Sequence, residues 1–207
     1  MNESMDFLRD FGVVFLFLPP FRNFRGVHMS KIERLKNKTA ADILRETGQE
    51  NVTPVNLREI LQKFEISVIS IDFSEIERMM SDMVKERGRI LGAVMTKDNN
   101  TAIFYSNDKE LMSNHRYRFT VAHELAHCCL DGELSHVEFR HDGSSASPQE
   151  RAANIFAGEL LIPLHQLERV SKELLLPTVK NLATVFEVSE PVMAARLAYL
   201  ERPDLYL

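Results

Sequence analysis

The chain has 207 residues, of which 44% are hydrophobic and 27% charged, a balance that excludes a disordered or low-complexity protein. Its formal net charge of −5 excludes the overall positive charge by which most nucleic-acid binders attract phosphate. The two cysteines, Cys128 and Cys129, are adjacent, and neighbouring side chains on a helix point about 100° apart and do not bridge readily, so free thiols and a reducing, cytoplasmic setting are expected.

In chain order, the apolar run Phe11-Gly-Val-Val-Phe-Leu-Phe-Leu18 comes first. It is shorter than the roughly 20 residues that span a bilayer as a helix, and Glu3, Asp6 and Asp10 replace the basic flank of a signal peptide. Residues 1–28 are therefore expected to be an extension without a membrane role, with the working start at Met29. Ser30 to Thr47 favours helix and stops at Gly48. Pro54 to Phe64 places Leu57, Ile60, Leu61 and Phe64 on one helical face, with Pro54 suited to the first turn. Ile66 to Phe73 is β-branched and predicts a strand. Ser74 to Arg87 carries Ile76, Met79, Met80, Met83 and Val84 at helical spacing, a stripe expected to be core rather than an adaptable binding face. Ile90–Met95 and Thr101–Tyr105 flank a polar turn and predict a β-hairpin; a sheet edge, on a strand the sequence does not single out, could take up an extended substrate as an added strand.

The next run, Arg118-Phe-Thr-Val-Ala-His-Glu-Leu-Ala-His-Cys-Cys-Leu130, contains the pattern H-E-x-x-H. Phe119, Ala122, Ala126 and Leu130 form one inward stripe, broadened by Leu125, and Asp131-Gly132 stops the helix. On a helix His123 and His127 share a face, so both imidazoles can reach one metal ion. Glu124, beside the first histidine, is placed to act as general base on a water at a zinc ion.

A catalytic zinc usually takes three protein ligands and keeps one open position. The downstream candidates are His136, His141, Glu150 and Glu159. Residues 133–146 read as a loop over or near the site, and a second helix begins at Ser147-Pro148 and runs to Pro163. Glu150 on that helix could meet the histidines across a small-residue contact at Ala152, Ala153 and Ala157. Ser147-Pro-Gln-Glu150 also matches a capping box, and spacing alone leaves ligand and cap even.

Two motifs, Arg118-Phe-Thr-Val-Ala-His-Glu-Leu-Ala-His127 and Glu150-x-x-Ala-Asn154-x-Phe-Ala-x-Glu-Leu-Leu-Ile-Pro163, with the tail Leu182-Ala-x-x-Phe-x-Val-Ser189, resemble the ImmA/IrrE family of zinc metallopeptidases over roughly residues 40–200. The resemblance implies that His123, His127 and Glu150 hold Zn2+ and that Glu124 is the catalytic base. It implies cleavage of a helix-turn-helix repressor, encoded nearby, which relieves repression of mobile-element or stress genes in the bacterial cytoplasm. Ala126 departs from the glycine common in the family. The expected fold is α+β and zincin-like, with a small antiparallel sheet on the H-E-x-x-H helix. Residues 29–163 would form the peptidase domain and 164–207 a helical segment.

Within that segment two helices are expected, Val179 to Phe186 and Ser189 to Leu200, with the rhythm of a helix-turn-helix. Their charges, Lys180, Glu187, Glu190 and Arg196, offer little to phosphates or bases, so they suit a packing element or a docking face and no direct nucleic-acid contact is expected. The rival reading is a metallopeptidase-like regulatory or toxin–antitoxin component that binds its partner or DNA without cutting. His115, Tyr105, Tyr117, His136 and His141 are candidates for an additional oxyanion donor, and nothing in the sequence ranks them.

Overall fold

The computed structural model describes residues 34–97, 100–130, 138–141 and 147–206, with 138–141 described by their backbone. The apolar run at 11–18, the expected start at Met29 and His136 lie outside these residues. Helices α1 (Ala40–Glu46) and α2 (Leu57–Lys63) lead into strand β1 (Ser67–Ile71). Helices α3 (Ser74–Met79) and α4 (Ser81–Arg87) then precede β2 (Ile90–Lys97) and β3 (Asn100–Ser106). The long helix α5 (Asn114–Leu130), strand β4 (Glu138–His141) and helices α6 (Pro148–Leu161), α7 (Leu164–Glu173), α8 (Val179–Phe186) and α9 (Glu190–Leu200) complete the chain. The architecture is α+β and mostly helical.

The four strands form one sheet in the order β1-β3-β2-β4. β2 and β3 make the expected antiparallel hairpin, with Ala93 opposite Phe104 and Val94 opposite Ile103. β1 instead runs parallel to β3, Val68 beside Ile103. The sheet is thus mixed, correcting the antiparallel expectation. Parallel neighbours need a long connection, and α3, α4 and β2 supply it between β1 and β3.

Period-two alternation buries the sheet on both faces. Ala93, Met95, Ala102 and Phe104 pack with Phe73, Ile76 and Met80 around α3. Val94 and Ile103 point the other way, into the main core with Val121 and Leu125 of α5. Helices α7 to α9 add Leu167, Val170, Leu182, Phe186, Met193 and Leu197 to that same core.

Several element boundaries differ from the sequence expectation. The first helix starts only at Ala40, because the Thr39 hydroxyl and Asp42 carboxylate close a capping box there. The second starts at Leu57 rather than Pro54, because Asn56 caps it by accepting from the Glu59 amide. The methionine stripe belongs to two helices that break at Met80; Ile76 and Met80 are core, while Met79 is 55% exposed. β4 lies within the stretch expected to be loop, paired antiparallel to β2, a long-range partnership that local composition does not encode. Helix α7 lies in the segment expected to be helical, ahead of the two helices placed there, with Leu167 and Val170 buried at helical spacing.

Candidate metal centre

Helix α5 is buried from Thr120 to Cys129 on all sides, not along one stripe. It lies between the sheet and α6, so its polar residues face protein as well. Leu130, expected inward, is 44% exposed at its end. Among the buried residues are His123, Glu124 and His127, an expensive placement that needs compensating partners.

The partners come largely from α6. His123 Nε2 stands 3.1 Å from His127 Nε2. Glu150 completes a triangle, with Oε2 3.3 Å from His123 Nε2 and Oε1 3.3 Å from His127 Nε2. The hydrogen bonds from the His123 and His127 rings hold the Glu150 carboxyl well below its ordinary range. Ser147 still caps α6, its hydroxyl accepting from the Glu150 amide at 3.1 Å. Of the capping box only the Ser147-to-amide half is seen, and the Glu150 carboxylate, which a full box would turn back to the Ser147 backbone, faces the histidines instead. Glu159 lies further along the helix, 3.6 Å from Arg196, and does not join the group. Among the described residues, His123, His127 and Glu150 form the cluster able to hold a metal ion.

Asn154, in the second motif, has a role that the sequence does not disclose. Its Oδ1 lies 2.9 Å from His123 Nδ1. An amide oxygen there accepts from Nδ1–H and fixes the ring, so that with an ion bound Nε2, the atom facing Glu150, would supply the lone pair. The spacing of one helical turn from Glu150 was the available signal.

Gly92 on β2 shapes the space around Glu124. A Cβ at this position would stand 2.6 Å from Thr120 Cγ2 and 3.1 Å from Glu124 Oε1. The β2–β4 register shifts between Ile90 and Gly92, so an irregularity of the ladder and the missing side chain coincide beside the carboxylate.

The other described candidates are not part of the His123, His127 and Glu150 cluster. Tyr105 and Tyr117 meet each other edge-on with ring centres 4.7 Å apart, and burial pushes the Tyr117 hydroxyl up. His115 is exposed in the first turn of α5. The backbone of His141 pairs with Ile90 in β4. Cys128 and Cys129 form no disulfide and are buried, and burial pushes the Cys129 thiol up to about 12.

The donor set fits zinc. Two imidazole nitrogens and a carboxylate oxygen bound tetrahedrally at about 2.0–2.1 Å would sit about 3.3–3.4 Å apart. The three separations here are 3.1, 3.3 and 3.3 Å. A buried helix with two such histidines, closed by a carboxylate from a second helix, has the make-up of a metallopeptidase centre. The chain belongs to the IrrE N-terminal-like domain family of metallopeptidases, whose profile matches residues 77–198. That match includes all three clustered residues together with Gly92, Glu124 and Asn154. No curated protein matches the chain.

Proposed function

We propose that the chain is a zinc-dependent endopeptidase that cleaves a cognate helix-turn-helix transcriptional repressor in the bacterial cytoplasm, derepressing mobile-element or stress-response genes. The observation that carries the peptidase reading is the convergence of His123, His127 and Glu150 within 3.3 Å, beside the buried Glu124. The repressor as substrate follows from resemblance to the ImmA/IrrE family. Among the described residues no helix is long and apolar enough to cross a membrane.

In this reading His123, His127 and Glu150 hold the ion, and zinc supplies Lewis acidity toward the water and the scissile carbonyl. Glu124 is the proton carrier: one carboxylate oxygen takes the proton from the attacking water and returns it to the leaving amine. Asn154 keeps the His123 ring in one tautomer. Gly92 leaves the volume in which the Glu124 carboxylate sits.

The test combines metal content with cleavage. Wild type and Glu124→Gln should both carry stoichiometric zinc, while His123→Ala and Glu150→Gln should lose it. Cleavage of the repressor encoded next to this gene should fall by about 10²–10⁴-fold in Glu124→Gln, the contribution of a positioned base. Full zinc in both ligand variants defeats the ligand assignment. Chelator-insensitive binding of the repressor without any cut favours the non-proteolytic alternative.

A further inference from the structure

A groove of about 470 Å³ runs between α6 and α9, with Phe119 of α5 at its side. Its walls are apolar: Phe119, Ile155, Val192, Ala195 and the Tyr199 ring. Ile155 and Tyr199 are 37% and 54% exposed, a large apolar surface left at the rim of a small domain. The groove adjoins the metal centre on the Nδ1 side of His123, and none of the three clustered residues lines it. Asn154, which lines it, bonds His123 at 2.9 Å, and the Phe119 ring centre lies 6.5 Å from that of His123.

Two arginines give the groove its sign. Arg151, the residue after Glu150, lines the groove from an exposed position and forms no ion pair among the described residues. Arg196 lies beneath, buried, with Nε donating to the Ile162 carbonyl and Nη1 lacking a hydrogen bond, 3.6 Å from Glu159 Oε1. The groove thus joins apolar walls to an uncompensated cation at the rim, next to the third member of the metal cluster.

We propose that this groove is the subsite that selects the protein substrate, accepting an apolar side chain flanked by a carboxylate that pairs with Arg151. The proposal rests on the peptidase reading above and adds the substrate chemistry to it. The apolar side chain displaces water from the Phe119, Val192 and Ala195 walls, and the carboxylate meets an exposed guanidinium suited to a bidentate pair. Affinity would come mainly from the buried apolar anchor, and the choice of neighbour from the arginine.

Binding is measured on the zinc-loaded Glu124→Gln protein, with a displayed random peptide library followed by fluorescence anisotropy on the recovered peptides. Peptides retained should carry Leu, Ile or Phe beside Asp or Glu. Ala195→Trp, which fills the groove, should weaken them at least about tenfold. Arg151→Glu should shift the preference from acidic to basic neighbours. Arg151 is exposed, so this second variant decides the matter even if Ala195→Trp fails to fold. No enrichment, or enriched peptides whose binding neither variant changes, overturns the subsite. Cleavage of the same peptides by wild type is scored separately. Groove-dependent binding without any cleavage removes the peptidase reading and keeps the subsite. Cleavage at equal rates by wild type and Arg151→Glu on acidic and basic peptides does the reverse.

Discussion

Glu150 divides its roles between backbone and side chain. Its amide closes the Ser147 cap, and its carboxylate lies 3.3 Å from each histidine Nε2. Because those ring contacts hold the carboxyl below its ordinary 4.5, the folded state binds that proton more weakly than the unfolded chain. Its stabilising contribution is complete above that pH and is lost as the pH falls through the lower folded value. In urea titrations of metal-free protein, Glu150→Gln should therefore flatten the acid limb of stability against pH. Asn154 acts through His123. Asn154→Ala should weaken zinc binding about 10–100-fold in a competitive chelator titration, and Asn154→Asp, which keeps an acceptor, should recover much of it. Cys128 and Cys129 should resist iodoacetamide near pH 8 until the protein is unfolded, since both are buried and the Cys129 thiolate forms only as the pH approaches about 12.

At the scale of elements, the site depends on how closely α5 approaches β2. Gly92 sets that distance, because a methyl there would overlap Thr120 Cγ2 at 2.6 Å and crowd Glu124. Gly92→Ala should cost about 1–3 kcal/mol in chemical denaturation, typical of overpacking, and should depress cleavage more than zinc content. The other anchor of α5 is Arg118. Its Nε donates to the Glu187 carbonyl at 3.1 Å and its Nη2 to the Val55 carbonyl at 2.9 Å, tying the helix to the end of α8 and the segment before α2. Glu187 itself sits at φ 52 and ends α8 in the left-handed region, so the carbonyl that Arg118 binds belongs to a sharp turn. This bond also explains why an arginine opens the motif although it lies away from the clustered ligands.

For the whole molecule, the metal cluster joins two helices, α5 and α6. An ion held by both should stabilise the folded state alone. At a hundredfold excess over its dissociation constant the gain is about 2.7 kcal/mol, or roughly 5–10 °C in the melting temperature of a chain this size. Differential scanning calorimetry of chelated protein with and without added zinc reads this directly, and the shift should vanish in His123→Ala.

The sequence alone carried the local chemistry. H-E-x-x-H on a helix puts His123 and His127 on one face because four residues make about one turn. The hairpin and the helices after Ser147 and Ser189 were legible because turn and cap residues act within a few positions. Tertiary structure decided everything that depends on distant partners. The parallel seat of β1 and the presence of β4 rest on strand pairing between segments far apart in the chain. The burial of α5 on every side comes from its place between sheet and α6, where no single stripe of its own residues could reveal it. Whether Glu150 turned toward a cap or toward the histidines was likewise a matter of where α6 crosses α5. Side-chain reach permits both, and only packing brings the carboxylate within 3.3 Å of the rings.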